Sequence, residues 1–239
     1  QALKAAPADG LTLFLSHDHT ISILPQVVKT PGFNPSTDFV PVAGFASFVN
    51  ALAVSGGTSA KNFADYVNSV KAQSGKGSVG VPAPASTPEF LVKVIGEKYK
   101  LDLVAVPYRG SALSVADFAA GHLDVVIETL GVVEPVLADG RGRLLATTAP
   151  ERLADFPGLP TVAEAAPLPG FAVSPWMALM APASTPAPIL ARLAEATRHA
   201  LRPDSEIAPA LAGQRYIPRY LDPDATRALI AAERARYGA

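Results

Sequence analysis

The chain has no cysteine and a single tryptophan among its 239 residues. The first absence excludes disulfides, thiolate nucleophiles and cysteine-based zinc frameworks, and it is compatible with export. Neither sign of charge is in surplus: 20 Lys and Arg stand against 21 Asp and Glu, a net charge of -1 at pH 7. A protein that neutralises a phosphate backbone needs a basic excess, so nucleic acid is excluded as a partner class. No run of about 18 apolar residues occurs despite 49% hydrophobic composition, so no segment reads as a membrane-spanning helix. Also missing are a GxSxG elbow, a Walker loop and GxGxxG, which removes the best-signposted enzymes. The length suits one large domain or two lobes of about 100 to 150 residues, and two lobes is the reading adopted.

What the chain does have is concentrated in residues 78 to 113, which read as strand, Pro-rich loop, helix, strand and a second, Gly-containing loop. Val79 and Val81 belong to a strand that Pro82 and Pro84 stop by removing amide donors. Ser86, Thr87 and Pro88 have the composition of a helix start, and Glu89, three residues after Ser86, is placed to close a capping box. Phe90, Leu91, Val94 and Ile95 predict a helix face packed on a sheet, and Leu103 to Val106 predict the next strand. Small ligands of open parallel sheets bind beyond the carboxyl ends of the strands, where helix amino termini offer unpaired N–H groups to anions. The stretch therefore predicts an anion site.

Strands are also expected over Leu11 to Leu15, Leu123 to Ile127 and Leu144 to Thr148, with an extended stretch from Phe45 to Val54. Alternation of strand and helix predicts parallel sheets covered on both faces. Gly56 and Gly57 mark a first linker, and the Pro-containing segment from Phe171 to Met180 a second. Ala181 to Pro186 repeats the six residues of Ala83 to Pro88, APASTP, and reads as one helix-start device used twice. His17, Asp18 and His19 form the most metal-like cluster, yet a third separated ligand is missing, so a ligand-contacting or solvated loop is the preferred reading. Arg109, between a strand and Gly110, is suited to take a carboxylate in two parallel hydrogen bonds. Glu128 is expected at the same rim, bonded to a ligand hydroxyl or ammonium or paired with Arg109. Trp176 and Phe171 read as core before binding platform.

Val106 to Gly110 (VPYRG), Pro160 to Glu164 (PTVAE), Pro169 to Phe171 (PGF) and the segments Ala6 to Leu15 and Phe33 to Phe45 carry a likeness to a known family. Together they resemble the Bug family, the exported solute-binding receptors of tripartite tricarboxylate transporters. The resemblance implies an α/β, two-lobed periplasmic binding protein of type II-like fold, each lobe a mostly parallel sheet flanked by helices, with a ligand cleft between lobes. Residues 1–54 and 175–239 would form lobe 1 and residues 55–174 lobe 2, closing about segments near Ser55 to Thr58 and Pro169 to Ser174. It implies extracytoplasmic, periplasmic capture of a small organic carboxylate for membrane permease subunits, as a monomer, with no cofactor, no metal and no catalysis. Carried over by position, the ligand loops are Ala83, Pro84, Ala85, Ser86 and Thr87, then Tyr108, Arg109, Gly110, Ser111 and Ala112, with Glu128 and Thr129 beside them and His17, Asp18, His19 and Thr20 from the other lobe. The sequence departs from the family where Pro84, Ala85 and Glu89 stand in place of Gly-rich sequence and a first-turn His, and no strand with a Pro-Pro-Gly-Gly type loop precedes Gln1. The alternatives are a sensory module for a signalling receptor and a metal-assisted hydrolase built on His17, Asp18 and His19.

Overall fold

A computed structural model describes residues 1–168 and 173–237. In chain order the elements are α1 (Ala2–Ala5), β1 (Phe14–His17), a π-helical turn (His19–Ile23), α2 (Leu24–Val27), β2 (Phe39–Ser47), β3 (Asn50–Ser55), α3 (Phe63–Ala72), β4 (Lys76–Val81) and α4 (Thr87–Tyr99). There follow β5 (Asp102–Pro107), α5 (Ser111–Ala119), β6 (Val125–Thr129), α6 (Leu130–Val133), a 3-10 turn (Glu134–Gly140), β7 (Gly142–Thr147) and α7 (Val162–Ala165). The chain closes with β8 (Trp176–Pro182), α8 (Ala187–Ala200), α9 (Ala208–Gly213), β9 (Ile217–Leu221) and α10 (Pro223–Tyr237). Contacts divide these into two units, residues 1–47 with 175–239, and residues 48–174.

In the first unit the sheet order is β1-β8-β2-β9, and every pairing is antiparallel. Ile21, Phe39, Trp176, Ala178 and Met180 are buried together, with Leu229 and Ile230 of α10 packed against them. Trp176 is thus a core residue. Asp222 caps α10, its Oδ1 accepting from the Ala225 N–H at 2.7 Å, and the α10 dipole favours a carboxylate at that end.

In the second unit the order is β5-β4-β6-β3-β7; β4 is parallel to β5 and β6, and β3 is antiparallel to β6 and β7. Alternate residues of β3 divide between two cores, as a pleated strand requires. Leu52 and Val54 join Val67, Leu91 and Ile95 of α3 and α4, whereas Ala51 and Ala53 join Val115 and Phe118 of α5 and Leu130 and Val133 of α6.

Three expectations are corrected here. The stretch from Phe45 to Val54 is two strands in two sheets, and because β3 pairs with β6 and β7 the division falls after Ser47, so residues 48–54 belong to the second unit. Ser55 to Thr58 is therefore no linker: Ser55 N–H donates to Asp124 O at 2.8 Å and Gly56 N–H to Arg141 O at 2.8 Å, pinning the turn inside that unit. The sheets are also not mostly parallel, because the first is antiparallel throughout and only β4, β5 and β6 run parallel in the second. Pro169, Gly170, Phe171 and Ala172, which carry part of the family likeness and of the second expected hinge, lie outside the described residues.

Candidate functional site

The parallel strands β4 and β5 end in register, Val81 opposite Pro107, so the loops that leave them are neighbours. They are also bonded to one another: Tyr108 N–H donates to Val81 O at 2.9 Å and Gly110 N–H to Pro82 O at 2.9 Å. The Tyr108 hydroxyl donates to Asp117 Oδ2 of α5 at 2.7 Å, which fixes the ring over the helix that its own loop starts. Residues 83 to 87 and 108 to 112 are thus brought together on one rim of the second unit.

The first loop closes on itself. Ser86 is the N-cap of α4, its hydroxyl donating to Ala83 O at 2.7 Å and accepting from Glu89 N–H at 3.4 Å. Glu89 reaches past the N-cap to accept the Ala85 N–H, one residue earlier than a regular capping box. Ala85 holds a left-handed φ of 56°, a conformation L residues seldom adopt, and this bond secures it. Ser86 and Thr87 are buried, while Pro84 is exposed.

The second loop is open. Gly110 is the N-cap of α5 at φ 109° and ψ 155°, a region reserved for glycine, and no side chain caps this helix. Arg109 and Ala112 are exposed, and the Arg109 guanidinium makes no ion pair or hydrogen bond among the described residues. Gly110→Ala should cost about 1 to 3 kcal/mol of stability because a Cβ strains this backbone. Urea melts check it; an unchanged midpoint would show that the loop relaxes freely.

Glu128 is not on the rim. It lies within β6 opposite Ala51, wholly buried, and the Ser114 hydroxyl of α5 donates to its Oε1. Its Oε2 is buried with no hydrogen-bond partner among the described residues. Burial pushes its pKa up against the opposing pull of the Ser111 and Ser114 hydroxyls and the Thr129 amide. The expected pairing with Arg109 is absent: a carboxyl inside the sheet is met by serines of its own chain. Thr129, also buried, ends the strand as the N-cap of α6.

The remaining candidates belong to the first unit. His17 ends β1, and Asp18 caps the π-helical turn, its Oδ1 accepting from His19 N–H at 2.8 Å. His19 and Thr20 are the first two residues of that turn. Asp18 is 3% exposed and its Oδ2 has no hydrogen-bond partner among the described residues. Burial first, and the nearby Glu233 carboxylate of α10 second, push its pKa up to about 7. Burial, with the His19 imidazole adding to it, lowers the pKa of His17. No group of three metal-type ligands occurs among the described residues.

The sequence missed three of these partners. Ser114 was legible in principle, because it lies three residues after Ser111 on one helix face. Asp117, which holds Tyr108, and Glu233, which faces Asp18 from the far end of the chain, leave no local trace. A cavity of about 410 Å³ lies at the opposite end of the second unit's sheet, lined by Tyr66, Gln73, Lys76, Ser78 and Asp124, and none of the sixteen candidate residues lines it.

A sequence profile of the tripartite tricarboxylate transporter family receptors matches residues 1–239. A curated protein of Bordetella bronchiseptica, known as a UPF0065 protein, is 31% identical over 218 residues, 91% of this chain. The chain spans 62% of the length of that relative and 59% of a second, from a Pseudomonas strain. Among solved structures, R. palustris Rpa4515 with adipate superposes with a TM-score of 0.90 at 29% identity, over 99% of this chain and 78% of that one. MatC from Rhodopseudomonas palustris with bound malate gives 0.85 at 25% identity, over 99% and 81%.

Proposed function

This chain belongs to the tripartite tricarboxylate transporter receptor family, and from that premise we propose that it captures a small organic carboxylate outside the cytoplasm and delivers it to membrane permease subunits. The observation that carries the reading is the paired rim of the second unit: two strand-end loops bonded to each other, one presenting an exposed and unpaired Arg109 beside the uncapped start of α5. A guanidinium in that position gives a carboxylate a charged, two-pronged partner, and the α5 amides add further donors. Adipate and malate are the ligands of two structural relatives, which supports a carboxylate as the class. Ala83 to Thr87, Tyr108 to Ala112 and His17 to Thr20 are the proposed ligand contacts, with Thr129 beside them and Glu128 acting from beneath through Ser114. No step of chemistry is assigned to them.

A thermal-shift screen over mono-, di- and tricarboxylates tests the class, because a ligand at 100 times its dissociation constant adds about 2.7 kcal/mol. Arg109→Ala should weaken the best ligand by about 1.5 to 3 kcal/mol, roughly 10- to 150-fold. Titration calorimetry on the parent and the variant measures it, and equal affinities would remove Arg109 from the site.

A further inference from the structure

The rim of the second unit carries two opposite charges that do not neutralise each other. Loop residues 82 to 89 contain a single charged group, Glu89, and loop residues 108 to 112 a single charged group, Arg109. Their strands are hydrogen-bonded neighbours, β4 and β5, whose spacing is about 4.8 Å. Yet neither side chain forms an ion pair among the described residues. One Glu89 carboxylate oxygen is fixed on the Ala85 N–H, and the second oxygen of this half-buried group has no hydrogen-bond partner among the described residues. Glu89 is the only charge of this loop, so at that position the loop repels a ligand carboxylate where the neighbouring loop attracts one.

Resting on the carboxylate-capture reading above, we propose that Glu89 is a specificity-determining residue and that the ligand is a small amino-carboxylate, its carboxylate on the Arg109 loop and its ammonium on the free oxygen of Glu89. A fixed acceptor costs little side-chain entropy to use, and a half-buried one holds a cation more strongly than an exposed one. A second carboxylate in that position would face Glu89 as a like charge, with no cation in its own loop to offset the repulsion. Specificity thus comes from rejection of diacids as much as from attraction of the amine.

Two matched pairs test it: adipate against 5-aminopentanoate, and malate against 3-amino-2-hydroxypropanoate, each pair differing by one carboxylate exchanged for an ammonium. Calorimetric affinities are measured on the parent, on Glu89→Gln and on Glu97→Gln, the last removing a charge from the same helix two turns away. In at least one pair the parent should favour the amine by about tenfold or more, Glu89→Gln should reduce that ratio by about tenfold, and Glu97→Gln should leave it unchanged. The ratio is insensitive to a loss of folded protein, so a less stable variant still reports. Diacids that bind more tightly than their amines, with a ratio indifferent to Glu89→Gln, would overturn the proposal and leave carboxylate capture standing. Failure of all four probes to bind the parent would overturn this inference, and failure of every acid in the thermal-shift screen as well would remove the carboxylate reading with it.

Discussion

Asp18→Asn should gain stability relative to the parent, by up to about 4 kcal/mol, as the pH rises from 4 through 7. Asp18 is 3% exposed, and its carboxyl is pushed from 3.8 up to about 7 by burial and by Glu233. A carboxyl that ionises less readily in the folded chain than in the unfolded one favours unfolding as the pH rises. Its stabilising contribution is complete below the unfolded value, is lost between 3.8 and about 7, and stays lost above. That interval, at about 1.4 kcal/mol per unit of pH, gives the stated magnitude. Asparagine keeps the oxygen that accepts the His19 N–H, caps a helix equally well and carries no charge to bury. Urea unfolding of both proteins at pH 4, 6 and 8 measures the effect, and a difference between them that does not change with pH would refute it.

Phe118→Ala should cost about 3 to 5 kcal/mol, the range for emptying a close-packed aromatic site. Phe118 is 1% exposed and packs in the core that joins α5 to β3 and β6. The site has little room to collapse: a Cβ built on Gly142 would lie 3.1 Å from the Phe118 ring, and 2.6 Å from Val54 O. The loss reaches the rim, because α5 carries Ser111 and Ala112 at its start, Ser114 against Glu128 and Asp117 against Tyr108. Stability and ligand affinity should therefore fall together, as read by urea melts and by calorimetry on the fraction that remains folded. A destabilisation below about 1 kcal/mol would mean that neighbouring side chains fill the space.

Local periodicity made most of the second unit legible. The buried face of α3, Phe63, Tyr66, Val67 and Val70, follows from its spacing, and Ser86 caps α4 as its chemistry predicts. On α4 itself the predicted face is displaced, with Phe90 37% exposed and Val92 buried instead, because Pro88 and Glu89 set the start of the helix and thereby its rotation. Strand direction was not legible, since it depends on partners far along the chain: β8 follows β2 by more than a hundred residues and still lies between β1 and β2. The repeated APASTP shows how far a local motif carries. In its first copy the helix starts within the motif, at Thr87, with Glu89 bonded to Ala85. In the second, α8 starts only at Ala187, after an N-cap Pro186 that supplies no side-chain bond, and Thr185 turns its hydroxyl to Pro182 O at 2.8 Å. The residues that decide the difference, Glu89 against Ala187, lie just outside the shared six. Glu128 was misplaced for a similar reason: the strand runs on through it to Thr129, and nothing in its neighbours announces that two serines wait across the core.

The bonds from Tyr108 N–H to Val81 O and from Gly110 N–H to Pro82 O have a kinetic consequence. A loop that must be ordered by its ligand slows capture and spends part of each contact's energy on immobilisation. Here that ordering is completed when β4 and β5 pair, before any ligand arrives. On the carboxylate-capture reading these two loops need no further ordering at encounter, so ligands of similar charge should have similar association rates. What separates them is residence time, set by how well each fits a surface that is already in place.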